Sequence, residues 1–155
     1  MRLVKAVTAL LLVVCALAAA APARAEVAVI EVAQVIDASA PGRAGQKYVD
    51  NLRASLNAEF ERFRQKNAKA KNAAQLAAQK QAELNAEYGR EHARVTALVM
   101  DALRKCAEDW LKVNKKAVTL IVPANSALAY SAKIDISDEI LKKLNAVTID
   151  FTARQ

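Results

Sequence analysis

The sequence predicts an α+β protein: a small β-sheet body drawn from both halves of the chain, a long antiparallel α-helical hairpin projecting from it, and a short C-terminal helix. Three observations predict it. Runs rich in β-branched residues lie at 26–32 and 118–122, far apart in the chain. Between them, from Ala44 to about Asn114, there is no proline, and only Gly45 and Gly89 interrupt residues of high helix propensity. Inside that stretch the large apolar residues recur at helical spacing, fade, and then recur again.

The 155 residues allow one domain or two small ones, which excludes a large multidomain enzyme. Lys and Arg number 23 against 16 Asp and Glu, a net charge of +7. Apolar residues reach 54%, but Ala supplies many of them and aromatics only 5%, so bulky core-forming side chains are scarce. Three Gly, three Pro and two Cys exclude a disulfide scaffold, a collagen and a flexible linker chain.

Residues 1–25 are expected to be a cleaved signal peptide. Arg2 and Lys5 form a positive start, 6–21 is uncharged and apolar, and Ala23-Arg24-Ala25 places small residues where a signal peptidase inspects them. The apolar run of about 16 residues is short of the ~20 that a membrane span needs. Val14 before Cys15 does not suit a lipoprotein signal. Cleavage after Ala25 leaves 20 basic and 16 acidic side chains, a net charge of +4, and Cys106 as the sole cysteine. An exported chain of this kind has no internal disulfide to rely on.

The body begins at 26–43. EVAVIEV reads as a strand with Val27 and Val29 on one face and Ala28, Ile30 and Val32 on the other. The polar stretch 37–42 then reads as a connection. The hairpin is expected over 44–116: Val49, Leu52, Leu56, Phe60 and Phe63 form one stripe, and Leu84, Tyr88, Val95, Leu98, Ala102, Cys106, Trp110 and Val113 another. A single helix of about 70 residues would run about 105 Å. The loss of large apolar residues in its middle instead marks a reversal, with its tip between Asn67 and Gln81. The body resumes over 117–145, with a strand at 118–122, a turn at 123–126 and a returning strand at 127–130. Ser137 reads as the N-cap of a last helix, with Asp138 and Glu139 in its first turn and Lys142 and Lys143 in its last. The tail 146–155 alternates Val147, Ile149 and Phe151, as a further edge strand or a loose end would.

Two consequences bear on function. A body of roughly 60 residues buries only about 60% of its unfolded surface and leaves sheet edges open, so association of identical chains is expected. Val27, Val29, Ile30, Leu120, Val122, Leu128 and Tyr130 are the residues expected to form that associating body. The second concerns charge: Arg62, Arg64, Lys66, Lys69, Lys71 and Lys80 lie in a stretch without any Asp or Glu. That stretch carries +6 while the rest of the mature chain sums to −2. Mixed-sign pairs would keep a helix end soluble with less repulsion, so the one-sidedness points to an acidic or phosphate-bearing partner.

The order of elements, with the segment LIVPANSALAYSAKIDISDEIL at 120–141 and Lys142-Lys143-Leu144-Asn145 after it, resembles the Skp family, also called OmpH, of periplasmic outer-membrane-protein chaperones. The Asp135-Ile136-Ser137 entry to the last helix is similar to that family's Asp-Ile-Thr. The resemblance implies a homotrimer whose β-rich body holds three helical tentacles around a cavity. It also implies a holdase that keeps unfolded outer-membrane proteins soluble in the periplasm without ATP. The chain departs from the family in a hairpin several turns shorter, in Pro123 after the strand, and in a longer tail. The shorter hairpin implies a smaller cavity, and so smaller or different clients.

Client contact is expected at the six basic residues, with Leu76, Leu84 and Tyr88, and also Phe60 and Phe63, as apolar contacts; packing within the hairpin is the competing role of all five. No catalytic residue, metal ligand or cofactor is expected. His92 and Cys106 stand 14 residues apart on one predicted helix, about 21 Å along its axis, too far for a hydrogen-bonded pair. Nucleic acid is disfavoured, because Phe63 is the only aromatic among the tip cations at 62–80, and a stacking platform needs several. Anionic lipid such as lipopolysaccharide is the alternative partner, and a coiled-coil adaptor without clients the alternative role.

Overall fold

A computed structural model describes residues 26–114 and 118–153. The fold is mostly helical around a two-stranded parallel sheet. In chain order it runs β1 (Glu26–Ile30), α1 (Val32–Ala38), α2 (Ala40–Asn67), α3 (Ala73–Val113) and β2 (Val118–Pro123). Two 3-10 turns follow, Ala124–Ser126 and Ala132–Ile134, and then α4 (Ser137–Leu144). The expected signal peptide lies outside the described residues.

The strand expected over 26–32 stops at Ile30, and a helix absent from the sequence reading follows at once. Its Val-Ala-Gln-Val-Ile run is β-branched, but Val35 is buried in the body core, and that packing outweighs local propensity. The polar stretch at 37–42 is likewise a helix start rather than a loop. Ser39 Oγ accepts from the Gly42 amide at 3.0 Å, Pro41 stands in the first turn of α2, and Asn145 Oδ1 accepts from the Ala40 amide at 2.7 Å. Gly42 is required here, since a Cβ would lie 1.9 Å from the Ile36 carbonyl oxygen.

Helices α2 and α3, of 28 and 41 residues, extend about 42 and 62 Å. They lie side by side, and partners on α3 descend in number as those on α2 rise. The Tyr48 hydroxyl donates to Glu91 at 2.8 Å, the Arg53 guanidinium lies 5.1 Å from the Tyr88 ring centre, and Lys80 pairs with Glu59 at 2.7 Å. Leu56 and Leu84 are buried farther out. The helices break at 68–72, at the early end of the 67–81 window, where the Ala70 amide donates to the Asn67 carbonyl and Ala73 to Ala70.

β1 and β2 pair in parallel, with Val27 opposite Leu120, Ala28 opposite Ile121 and Val29 opposite Val122. Parallel neighbours need a crossover, and the whole helical pair from α1 to α3 is that crossover. The returning strand expected at 127–130 is not formed. Pro123 ends β2, the 3-10 turn does not reverse the chain onto it, and Leu128 stands wholly exposed. The other side of β1 is met instead by residues 135 and 136: Val29 bridges Asp135, and the Ile136 amide donates to the Val29 carbonyl at 3.0 Å.

Ser137 does not cap α4. Asp135 Oδ1 accepts from the Ser137 amide at 2.8 Å, while Ser137 Oγ accepts from the Glu31 amide at 2.9 Å and so ties the start of α4 to the start of α1. The core face of the sheet, Ala28 and Ile30 with Val118, packs on Leu103, Cys106 and Trp110 of α3 and on Ile140 and Leu144 of α4. The tail adds no strand among its described residues. Phe151 instead buries itself, 6% exposed, among Val49, Val95 and Val99 at the base of the helical pair.

Candidate functional site

The far end of α2 and α3 gathers the expected cations, but it does not treat them alike. Arg62, Arg64 and Lys66 end α2, Lys69 and Lys71 occupy the 68–72 connection, and all five are exposed. Arg64 pairs with Glu61 at 3.1 Å, and its guanidinium lies 5.8 Å from the Phe60 ring centre. Lys80 departs from the reading as a free tip cation. Two turns down α3, with only 16% of its side chain exposed, it is held by Glu59 at 2.7 Å and Glu83 at 3.0 Å. The bond to Glu59, then that to Glu83, raises its ammonium above the usual lysine range, so it is a brace between the helices. Arg62, Lys66, Lys69 and Lys71 join none of the ion pairs among the described residues.

The expected apolar contacts divide as well. Leu84 is buried between the helices and is a packing residue here; Leu76 and Tyr88 are half-buried. Tyr88 lies under Arg53 and 5.9 Å from the exposed His92 ring. Phe60 and Phe63 are also half-buried. Phe63 lines an open groove of about 480 Å³ between the end of α2 and the start of α3.

At the opposite end of the molecule, the expected body residues separate by face. Val29 and Ile30 are buried within the chain itself and offer nothing to a neighbour. Val27 and its register partner Leu120 are 38% and 51% exposed on the outer face of the sheet, beside half-buried Val122. Ile134, missed by the sequence reading, lines a groove of about 260 Å³ with Val27, Ala28 and Trp110. Alternation at 134–136 is too short to have marked it. Tyr130 is half-buried, and its hydroxyl donates to the Glu31 carboxylate at 2.6 Å. That bond, with some burial, pushes the phenol up to about 12.

Between tip and body, the tail and the helix base form a polar and aromatic junction. Arg94 pairs with Glu91 at 2.5 Å and donates to the Phe151 and Ala153 carbonyls, while the Phe151 ring centre lies 6.0 Å from that of Tyr48. The hydrogen bond to Glu91 raises both the Tyr48 phenol and the Arg94 guanidinium above their ordinary values. Gly45 leaves room for the ring, since a Cβ there would stand 3.2 Å from Phe151 Cζ and 3.0 Å from Val95 Cγ1.

Cys106 lies in the body core, where burial pushes its thiol up, away from the thiolate that reacts. Among the described residues no cluster of three or more His, Cys, Asp or Glu could hold a metal ion. No described helix is long and apolar enough to cross a membrane. No protein-family model and no curated protein matches the chain.

Proposed function

We propose that this chain is an exported, ATP-independent holdase of the kind its resemblance to the Skp/OmpH family implies. In this reading three copies associate through the outer face of the sheet. Each then projects α2 and α3 as an antiparallel hairpin whose cationic tip captures unfolded outer-membrane proteins in the periplasm. The observation that carries the reading is the separation of two unsatisfied surfaces. Four cations that join no ion pair among the described residues crown one end of the helical pair, and uncovered strand side chains, Val27 and Leu120, mark the other.

The physical chemistry suits capture rather than turnover. A β-barrel protein before insertion exposes alternating apolar residues, and an acidic one is drawn toward a basic tip from beyond contact range. At physiological salt that attraction fades over about 8 Å, so it speeds encounter without locking the client in place. Several arms acting together raise the local concentration of weak contact sites, which retains a client while leaving each contact easy to release.

The test is dilution of a urea-unfolded β-barrel protein into buffer without nucleotide. Equimolar or lower trimer should suppress turbidity. Replacing Lys66, Lys69 and Lys71 together by Glu should slow capture, with the larger deficit at low salt. Turbidity unaffected by the unaltered protein would favour a coiled-coil adaptor over a holdase. Client binding indifferent to the charge reversal would reduce the tip to a soluble end.

A further inference from the structure

The tip carries a recess as well as charge. Phe63 on the last turns of α2 and Ala73, Ala74 and Ala77 on the first turns of α3 line an open groove of about 480 Å³, together with the polar side chains of Glu61, Arg64, Gln65 and Asn67. Farther down the arm, buried Leu56 and Leu84 fill the space between the helices. At the tip three methyl side chains stand opposite an aromatic ring, so the helices come together without closing the gap. Phe63 is half-buried, which leaves part of its ring on the groove wall. The volume lies within the range of pockets that take small ligands, and one large side chain fits within it.

Charge decides what kind of chain brings that side chain. The rim carboxylate, Glu61, is paired with Arg64 at 3.1 Å. Among the described residues, Arg62, Lys66 and Lys69, each next to a groove-lining position, join no ion pair, nor does Lys71 at the far end of the connection. We infer that the groove, with its apolar wall of Phe63 and three alanines, is a subsite for one aromatic or branched side chain of a bound extended segment whose flanking residues are acidic. This rests on reading the tip as a capture surface, and it adds selectivity. The cations attract acidic segments generally, and the groove retains those that place a large apolar residue between their carboxylates.

Two peptides of a dozen residues test this with the mature chain. Both carry two Asp on each side of the centre; one has Phe at the centre and the other Ser. Fluorescence anisotropy at low salt should show the Phe peptide binding about tenfold tighter. Filling the groove with Ala74→Leu or Ala77→Leu should abolish that difference and leave the Ser peptide's affinity unchanged. Both substitutions keep a strong helix former, and circular dichroism on each variant checks that α3 is intact.

Equal affinity of the two peptides for the unaltered protein, or a difference that survives filling, overturns the subsite while leaving electrostatic capture in place. Binding of neither peptide overturns the capture surface and the subsite with it. If filling instead weakens binding to phosphatidylglycerol vesicles tenfold and leaves both peptides unaffected, the groove holds an acyl chain, and the proposal is overturned in favour of lipid.

Discussion

Phe151→Ala tests how the tail is held. The ring is 6% exposed among Val49, Val95 and Val99, and lies 6.0 Å from the Tyr48 ring. Burying such a side chain is worth about 1.5–3 kcal/mol, and an aromatic pair adds ~0.5–1.5 kcal/mol. A Phe→Ala change in a rigid core costs about 3–5 kcal/mol because a void remains. Here the void need not remain. Fixing the described tail residues past Ala146 costs about 1–2 kcal/mol for each. Against that stand Phe151, half-buried Val147 and Ile149, the Asp150–Thr152 turn and the Arg94 bonds to two carbonyls. Removal of the ring therefore detaches the segment from about Thr148 onward, and the loss of global stability stays below the ~3–5 kcal/mol of a rigid core. Amide hydrogen exchange should show protection lost in the tail and in the first turns of α2, while the α3 residues facing the body core stay protected. A urea midpoint and tail protection both unchanged would refute the reasoning.

The three glycines should respond to alanine in three ways. Gly42→Ala should severely destabilise, since its Cβ meets a backbone oxygen at 1.9 Å; Gly45→Ala should be near neutral, crowding against a helix gain; Gly89→Ala, in open space, should stabilise by about 0.8–1.0 kcal/mol. Thermal melts of the three variants check the order. Tyr130 should give an alkaline transition. Its phenol is raised from 10.0 to about 12 in the folded chain, so the stabilisation it gives is whole below pH 10 and is lost as pH rises through 12. Alkaline unfolding followed by circular dichroism should lose that component in Tyr130→Phe. On the proposed association through the exposed sheet face, Leu120→Lys should shift the solution mass toward the monomer without lowering helicity, and an unchanged mass would overturn that proposal.

The long helices were legible because about 70 residues without proline leave the backbone little alternative, and the fading of the apolar stripe confined their break to the 67–81 window, at whose early end it falls. The two strands were legible as β-branched runs. Their partnership was not: a strand's pattern shows which face is buried but does not name its neighbour, and the returning strand assigned to 127–130 followed from proximity alone. Helix α1 was hidden because Val32, Val35 and Ile36 favour strand locally, while burial of Val35 in the body decides the outcome. Ser137 does not cap α4 because its hydroxyl has a partner, the Glu31 amide, that only the tertiary fold brings near; Ile136 stands at the cap position, and Asp135 before it accepts from the Ser137 amide. At the tip, the run of like charge was evident, but the tie of Lys80 to Glu59 depends on how the two helices align, which no single stretch of sequence records. The alternation of Val147, Ile149 and Phe151 looked like a strand because an extended segment lying across helices obeys the same period.

Because the two strands run parallel and everything from α1 to α3 lies between them, β1 emerges from the ribosome long before its partner exists. The cost of closing so long a loop is met only if the helices zip together first and deliver β2 to the waiting strand. A chain whose helices have not yet packed together has no finished sheet, because β1 has no neighbour until β2 arrives.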